Sequence, residues 1–214
     1  RSRKWFTTKR RHHMKKAILT LMLLAIATVA FSQVDPDENG FGLYFDQLGN
    51  DVCLSTTAPF TPVTAYLLLT NPTSVGASGF ECEVVVNGNL TAPAWTLNGS
   101  QPLNIATAPE FMVGFGTGDL AVMASDNVAL LATMTAYIMA PTDQIGFQIA
   151  PYAISSFDPA APGYADANNA GILVAGQVSS GFPYTNDVAQ INTDPCSVVA
   201  NDNVSFGSLK ALYR

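Results

Sequence analysis

The residues able to do chemistry in this chain are nearly all carboxylates. All sixteen Asp and Glu residues lie after position 33, and Gln33 to Leu209 contains no Lys, Arg or His. Without imidazole that span has no His base, no His metal ligand and no Ser-His-Asp triad. Without Lys it has no Schiff base, and without Arg no bidentate clamp for phosphate or carboxylate. A Cys nucleophile would lack its activating base. Gly114-Phe115-Gly116-Thr117-Gly118 is a glycine-rich turn with neither the Lys nor the helix of a phosphate loop.

Carboxylates leave two chemistries. Glu81 and Glu83 sit two apart on one strand, so they share a face with Cα atoms about 7 Å apart, and glycoside hydrolysis uses such pairs. Opposite a Phe80/Cys82/Val84 core face, however, they read first as a solvated outer face. The second chemistry is calcium binding. Asp35, Asp37 and Asn39, followed by Gly40 and with Asp46 at the twelfth position, match the ligand spacing of a calcium loop. The context departs from that pattern: no helix precedes, Gly42 stands where an aliphatic belongs, and Phe41–Asp46 reads as a strand. An acidic N-terminal segment is the leading expectation and calcium the alternative. Asp166 to Gly171 is a weaker candidate of the same kind, and no other cofactor is expected.

Sugar binding needs aromatic platforms, for which Trp95, Tyr164 and Tyr184 are the candidates. Trp95, in Ala94-Trp95-Thr96-Leu97, fits a core position better than a platform. Tyr164 and Tyr184 flank long loops and are the better placed for exposure.

The elements that must position these groups read as strands: Phe41–Asp46, Val63–Thr70, Phe80–Asn87, Ala94–Leu97, Leu103–Ala106, Phe111–Phe115, Val128–Met139, Gln144–Ala150, Gly171–Ala175 and Val188–Asn192. Turn chemistry such as Asn71-Pro72, Asn87-Gly88 and Asn98-Gly99 separates them. Val128–Met139 is long enough for a helix, yet Leu130, Ala132, Met134, Ala136 and Ile138 recur with period two. The pattern predicts an all-β fold, an antiparallel sandwich or jelly roll of about nine strands, immunoglobulin-like in architecture. Ser155–Ala170 reads as one long connection.

The succession Val63-Thr64-Ala65-Tyr66-Leu67-Leu68-Leu69-Thr70-Asn71-Pro72, then Gly79-Phe80-Glu81-Cys82-Glu83-Val84, then Val128–Thr135 and Ile145–Ile149, resembles cohesin-type sandwich modules of secreted bacterial proteins. The resemblance covers roughly residues 60–192. It implies a nine-stranded jelly roll and a non-catalytic binding role, and carries over no partner-binding residue.

Three cysteines remain, Cys53, Cys82 and Cys196. Cys82 shares a strand face with Phe80 and Val84 and reads as a small buried hydrophobe. Cys53 and Cys196 lie in polar, loop-like sequence and are the expected disulfide.

Residues 14–32 read as a signal peptide: Lys15-Lys16, an apolar run from Ala17 to Phe31, and Ala30-Phe31-Ser32 before Gln33. The run is shorter than the roughly 20 apolar residues that a membrane anchor needs. Residues 1–13 read as sequence ahead of the start at Met14, or as an extended basic n-region. Residues 33–196 form the sandwich domain, and 197–214 a linker and tail. From Gln33 on, sixteen acids oppose only Lys210 and Arg214, a net charge of −14 that repels nucleic acid. The tail residues Phe206, Lys210, Tyr213 and Arg214 resemble a sorting signal of exported bacterial proteins; a last strand or a frayed end, docked on the acidic body, is the equal alternative. The expected function is a secreted, non-catalytic interaction or structural module at or outside the bacterial cell surface, contacting a protein or polysaccharide. A carbohydrate-binding module comes second and a carboxylate-based glycoside hydrolase third.

Overall fold

Alternating apolar and polar residues between turn-forming dipeptides produce strands throughout the computed structural model, which describes residues 37–196 and 198. In chain order these are β1 (Gly40–Tyr44), β2 (Cys53–Leu54), β3 (Thr61–Thr70), β4 (Gly76–Asn87), β5 (Leu90–Leu97), β6 (Leu103–Asn104), β7 (Glu110–Gly114), β8 (Val122–Met123), β9 (Val128–Ile138), β10 (Ile145–Ala150), β11 (Gly163–Asp166), β12 (Leu173–Ala175), β13 (Gln177–Val178) and β14 (Ala189–Ile191). The one helical element among the described residues is a 3-10 turn at Gly118–Leu120.

Two sheets pack face to face. The first has the order β13-β1-β3-β9-β5; the second runs β12-β11-β4-β10-β14-β2, with β7 and β8 also on β4 and β6 on β7. Phe41, Leu43, Val63, Leu67 and Met134 from the first meet Phe80, Val84, Phe111, Phe147 and Ile149 from the second in one core. This is a β-sandwich. Burial of these side chains, at about 25 cal/mol per Å² of apolar surface, drives the sheets together.

All ten expected strand segments are present, with boundaries shifted by a few residues. Three features differ from the expectation. First, the sheets are mixed, since β1 pairs with β13 and β14 with β2 in parallel. The two strands of each parallel pair lie far apart in the chain, which frees them from the antiparallel hairpin. Second, β9 does not keep one phase. Its register against β3 shifts so that Leu67 faces Ala132 and Leu68 faces Leu130, which leaves Leu131 as an extra residue. Ala129 and Leu131 therefore enter the core together with Ala132, Met134, Ala136 and Ile138. Leu68 turns out to join Tyr44 and Val128 in a smaller apolar cluster separate from the main core. Third, Ser155–Ala170 is not one connection, because β11 lies within it.

β10 and β11 both run antiparallel to β4, Ala150 opposite Glu83 and Gly163 opposite Glu81. Strand β7 pairs with the same Glu83 and Glu81, so it lies on the other side of β4. β10 and β11 are thus successive pieces of one strand line, and residues 151–162 loop out between them.

Cys53 on β2 and Cys196 form a disulfide across a sequence separation of 143, as the sequence suggested. It ties β2 to the chain just after β14. Cys82 is the free cysteine, wholly buried. Opening the bridge in a Cys53→Ala/Cys196→Ala variant is expected to cost about 3–5 kcal/mol in urea unfolding, from the longer unfolded loop. Thiol alkylation without reductant is expected to label nothing in the folded protein and Cys82 alone in urea; three labelled cysteines would exclude the bridge.

Candidate functional site

Strands β4, β7 and β10 turn Phe80, Cys82, Phe111 and Phe147 inward, so the alternate residues line the outer face of the second sheet. Glu83 lies directly opposite Glu110 of β7, and Glu81 opposite Met112. Strand β6 extends the face: Leu103 is opposite Gly114, and the amide of Ile105 donates to the carbonyl of Met112 at 3.1 Å. Leu103 and Ile105 are 65% and 70% exposed. On the far side, β12 contributes Leu173, half-exposed. The face is therefore a strip of apolar side chains beside three carboxylates, and no cation occurs anywhere in residues 37–196.

Glu81 departs from the solvated position expected of it. It is 6% exposed because residues 151–162 fold over it. Its Oε1 accepts from the Ser155 hydroxyl at 3.1 Å and the Ser156 amide at 2.7 Å, and its Oε2 from the Ser156 hydroxyl at 2.6 Å. Three donors offset the cost of burying the charge. The loop is seated a second time by Phe157, whose ring occupies the space any Cβ at position 163 would need; only Gly163 leaves room. Glu81, Phe157, Met112, Gly79, Ala165 and Leu173 border a shallow cavity of about 180 Å³, smaller than the roughly 300 Å³ at which drug-sized ligand sites begin.

Three other carboxylates, Asp187, Asp46 and Asp166, accept hydrogen bonds that hold particular stretches of chain. Asp187 accepts from Gln148 at 3.1 Å and Gln190 at 2.8 Å, and its carboxylate rests over Gly146. Asp46 accepts from the amides of Asn50 and Asp51 at 2.7 and 2.9 Å. Asp166 accepts from the amides of Asn168 and Asn169 within the β11–β12 hairpin, so this weaker calcium candidate closes a turn. The Ser74 hydroxyl, followed by the Asn168 amide, holds Asp166 below its ordinary value of 3.8. Burial pushes the Cys82 thiol well above its ordinary range, with Glu81 and Glu83 adding to the shift, so the thiol form is favoured.

The expected calcium set is not drawn together. Asp35 lies outside the described residues, and β1, about 16 Å long, separates Asn39 from Asp46. Asp37 is buried. Asn39 instead accepts from the Thr73 amide at 2.8 Å and the Tyr164 hydroxyl at 2.7 Å. Among the described residues no group of three or more His, Cys, Asp or Glu is placed to hold a metal.

The aromatic candidates divide. Trp95 is half-buried, edge-on to Phe111 with ring centroids 5.1 Å apart. Tyr164 is 1% exposed and belongs to the core, which corrects its expected exposure beside a loop. Tyr184 is half-buried and lies edge-to-face with Phe182 at 5.6 Å, where Phe182 is 83% exposed. Sequence reading missed Phe182, Leu103 and Ile105. For Phe182 the signal was present in Gly181-Phe182-Pro183-Tyr184, aromatics inside turn chemistry. Phe206, Lys210, Tyr213 and Arg214 lie outside the described residues.

Glu81→Ala is expected to destabilise the protein by about 2 kcal/mol, as three hydrogen bonds to a charged acceptor are lost. It should also speed proteolysis within residues 151–162, and Gly163→Ala should expose the same segment by displacing Phe157. Unchanged proteolysis in both variants would refute the clamp. Asp166 is lowered on folding, so the stability it supplies is complete above its unfolded value and is lost as pH falls below about 3.8 through its folded value. Acid titration of Asp166→Asn should accordingly show a shallower loss of stability in that window.

Comparison of the chain with protein-family models, curated proteins and solved structures finds no match.

Proposed function

We propose that this chain is a secreted, non-catalytic interaction or structural module working at or outside the bacterial cell surface, with the outer face of the second sheet as its contact surface. The observation that carries this reading is the exposed Leu103–Ile105 strip lying beside Glu83 and Glu110. Apolar side chains held on a rigid sheet and rimmed by charge have the composition of a binding surface. The partner is a protein or polysaccharide and not a nucleic acid, because the body carries acids and no cation. Export agrees with the leader at residues 14–32 and with the Cys53–Cys196 bridge, which persists in oxidising compartments. The cohesin-type resemblance favours the same role.

The Phe182–Tyr184 pair gives a second reading, a carbohydrate-binding module. An exposed ring fixed edge-to-face against its neighbour offers a flat apolar surface to a sugar.

Expression from Met14 in a bacterial host is expected to yield protein processed at Gln33 outside the cytoplasm. Leu103→Ser/Ile105→Ser should reduce retention on the outer surface of the producing cells about tenfold, equivalent to about 1.4 kcal/mol. Equal retention of this variant and the wild type would remove the face from the reading. Glycan binding abolished by Phe182→Ala would establish the second reading in its place. Hydrolytic turnover abolished by Glu83→Gln would overturn both.

A further inference from the structure

We propose that the chain's own C-terminal segment, residues 206–214, docks on the outer face of the second sheet, with Lys210 over the Glu83–Glu110 pair. This rests on the reading of that face as an interaction surface and names its occupant. Three observations favour this segment.

The first is charge. Glu83 and Glu110 are directly opposed across β4 and β7, an arrangement of like charges that destabilises a sheet. Glu81 stands two residues along the same face, and no cation is available within residues 37–196. From Gln33 onward the chain has two cations, Lys210 and Arg214.

The second is composition. Phe206-Gly207-Ser208-Leu209-Lys210-Ala211-Leu212-Tyr213-Arg214 interleaves those cations with four large apolar side chains. The face offers the complement, with Leu103 and Ile105 exposed beside Met112 and the carboxylates. An apolar contact alone would be non-selective; the paired carboxylates fix which part of the segment lies where.

The third is reach. The bridge to Cys53 anchors Cys196 beside β14. Register and strand spacing place Glu83 three strands away and four residues along, about 20 Å. The fourteen residues from Cys196 to Lys210 extend to about 45 Å, more than twice that distance. A tether of this length gives an effective concentration of about 1 mM, so an intrinsic affinity near millimolar is enough for substantial occupancy. Displacing the segment from the face would then be part of engaging any external partner.

Lys210 is the only lysine after position 33, which makes zero-length carbodiimide coupling of the full secreted chain decisive. The expected product is an intramolecular amide from Lys210 to Glu83 or Glu110, at monomer mass and located by peptide sequencing. Raised salt should suppress it several-fold, and so should Leu103→Ser/Ile105→Ser. Coupling spread over exposed acids such as Asp119, Asp126 and Asp158 would overturn the inference. So would coupling found in dimers alone, which would assign the segment to a second copy, or no coupling at all. If coupling fails while Leu103→Ser/Ile105→Ser still loses surface retention, the docking inference falls and the contact face stands. If both fail, the face itself is wrong.

Discussion

A body without cations must satisfy its carboxylates with neutral donors, and much of the loop structure follows from that constraint. An ion pair would let an acid be held by a long, mobile side chain from anywhere nearby. Here the donors are amides, hydroxyls and carboxamides, which are short and close to the backbone. Each carboxylate held in this way therefore fixes a particular stretch of chain. Glu81 holds residues 155–156 over the second sheet. Asp46 builds the turn after β1, Asp166 closes the β11–β12 hairpin, and Asp187 gathers Gln148 and Gln190. Neutral donors act at short range and are little weakened by salt, so these loops are set by geometry.

The same constraint shapes the strand line on which the candidate face lies. The β10–β11 line is broken after Ala150 and resumes at Gly163, yet β4 pairs continuously with both pieces. The excursion between them is held by the Glu81 carboxylate and by Phe157 seated over Gly163. A buried charge and a missing Cβ together convert a long connection into a fixed wall. What that wall leaves open is the β4–β7–β6 side, where Glu83, Glu110, Leu103 and Ile105 face outward. The covered Glu81 and the outward Glu83 thus stand two residues apart on one strand, one beneath the loop and the other past its edge.

Much of the strand pattern was legible because burial on one face imposes period two, and Phe80, Cys82 and Val84 or Ile145, Phe147 and Ile149 show it plainly. The reading was weaker wherever a single residue changes phase. Leu131 is an extra residue in β9, so consecutive apolar residues enter the core, and no local feature of Val128–Ile138 announces it. Strands of two residues, such as β2 and β13, carry no period and are defined by their partners. For the site, Glu81 and Glu83 were correctly placed on the outer face, but their environments were read as equal. The difference lies 74 residues away in Ser155, which no local pattern relates to Glu81.

By itself the sequence determined the alternation that makes strands, the absence of imidazole, ammonium and guanidinium chemistry in the body, and the separation of Cys82 from a Cys53–Cys196 pair. These follow from residue types and near-neighbour spacing, which folding does not alter. Only the tertiary structure decided that Glu81 is buried while Glu83 opposes Glu110, that Tyr164 is core while Phe182 is exposed, and that Asn39 and Asp46 are carried to opposite ends of a strand. Those outcomes depend on which distant segment covers each face. That choice is fixed by strand register and by shape, as with Phe157 over Gly163, and both come into being only when the sheets assemble.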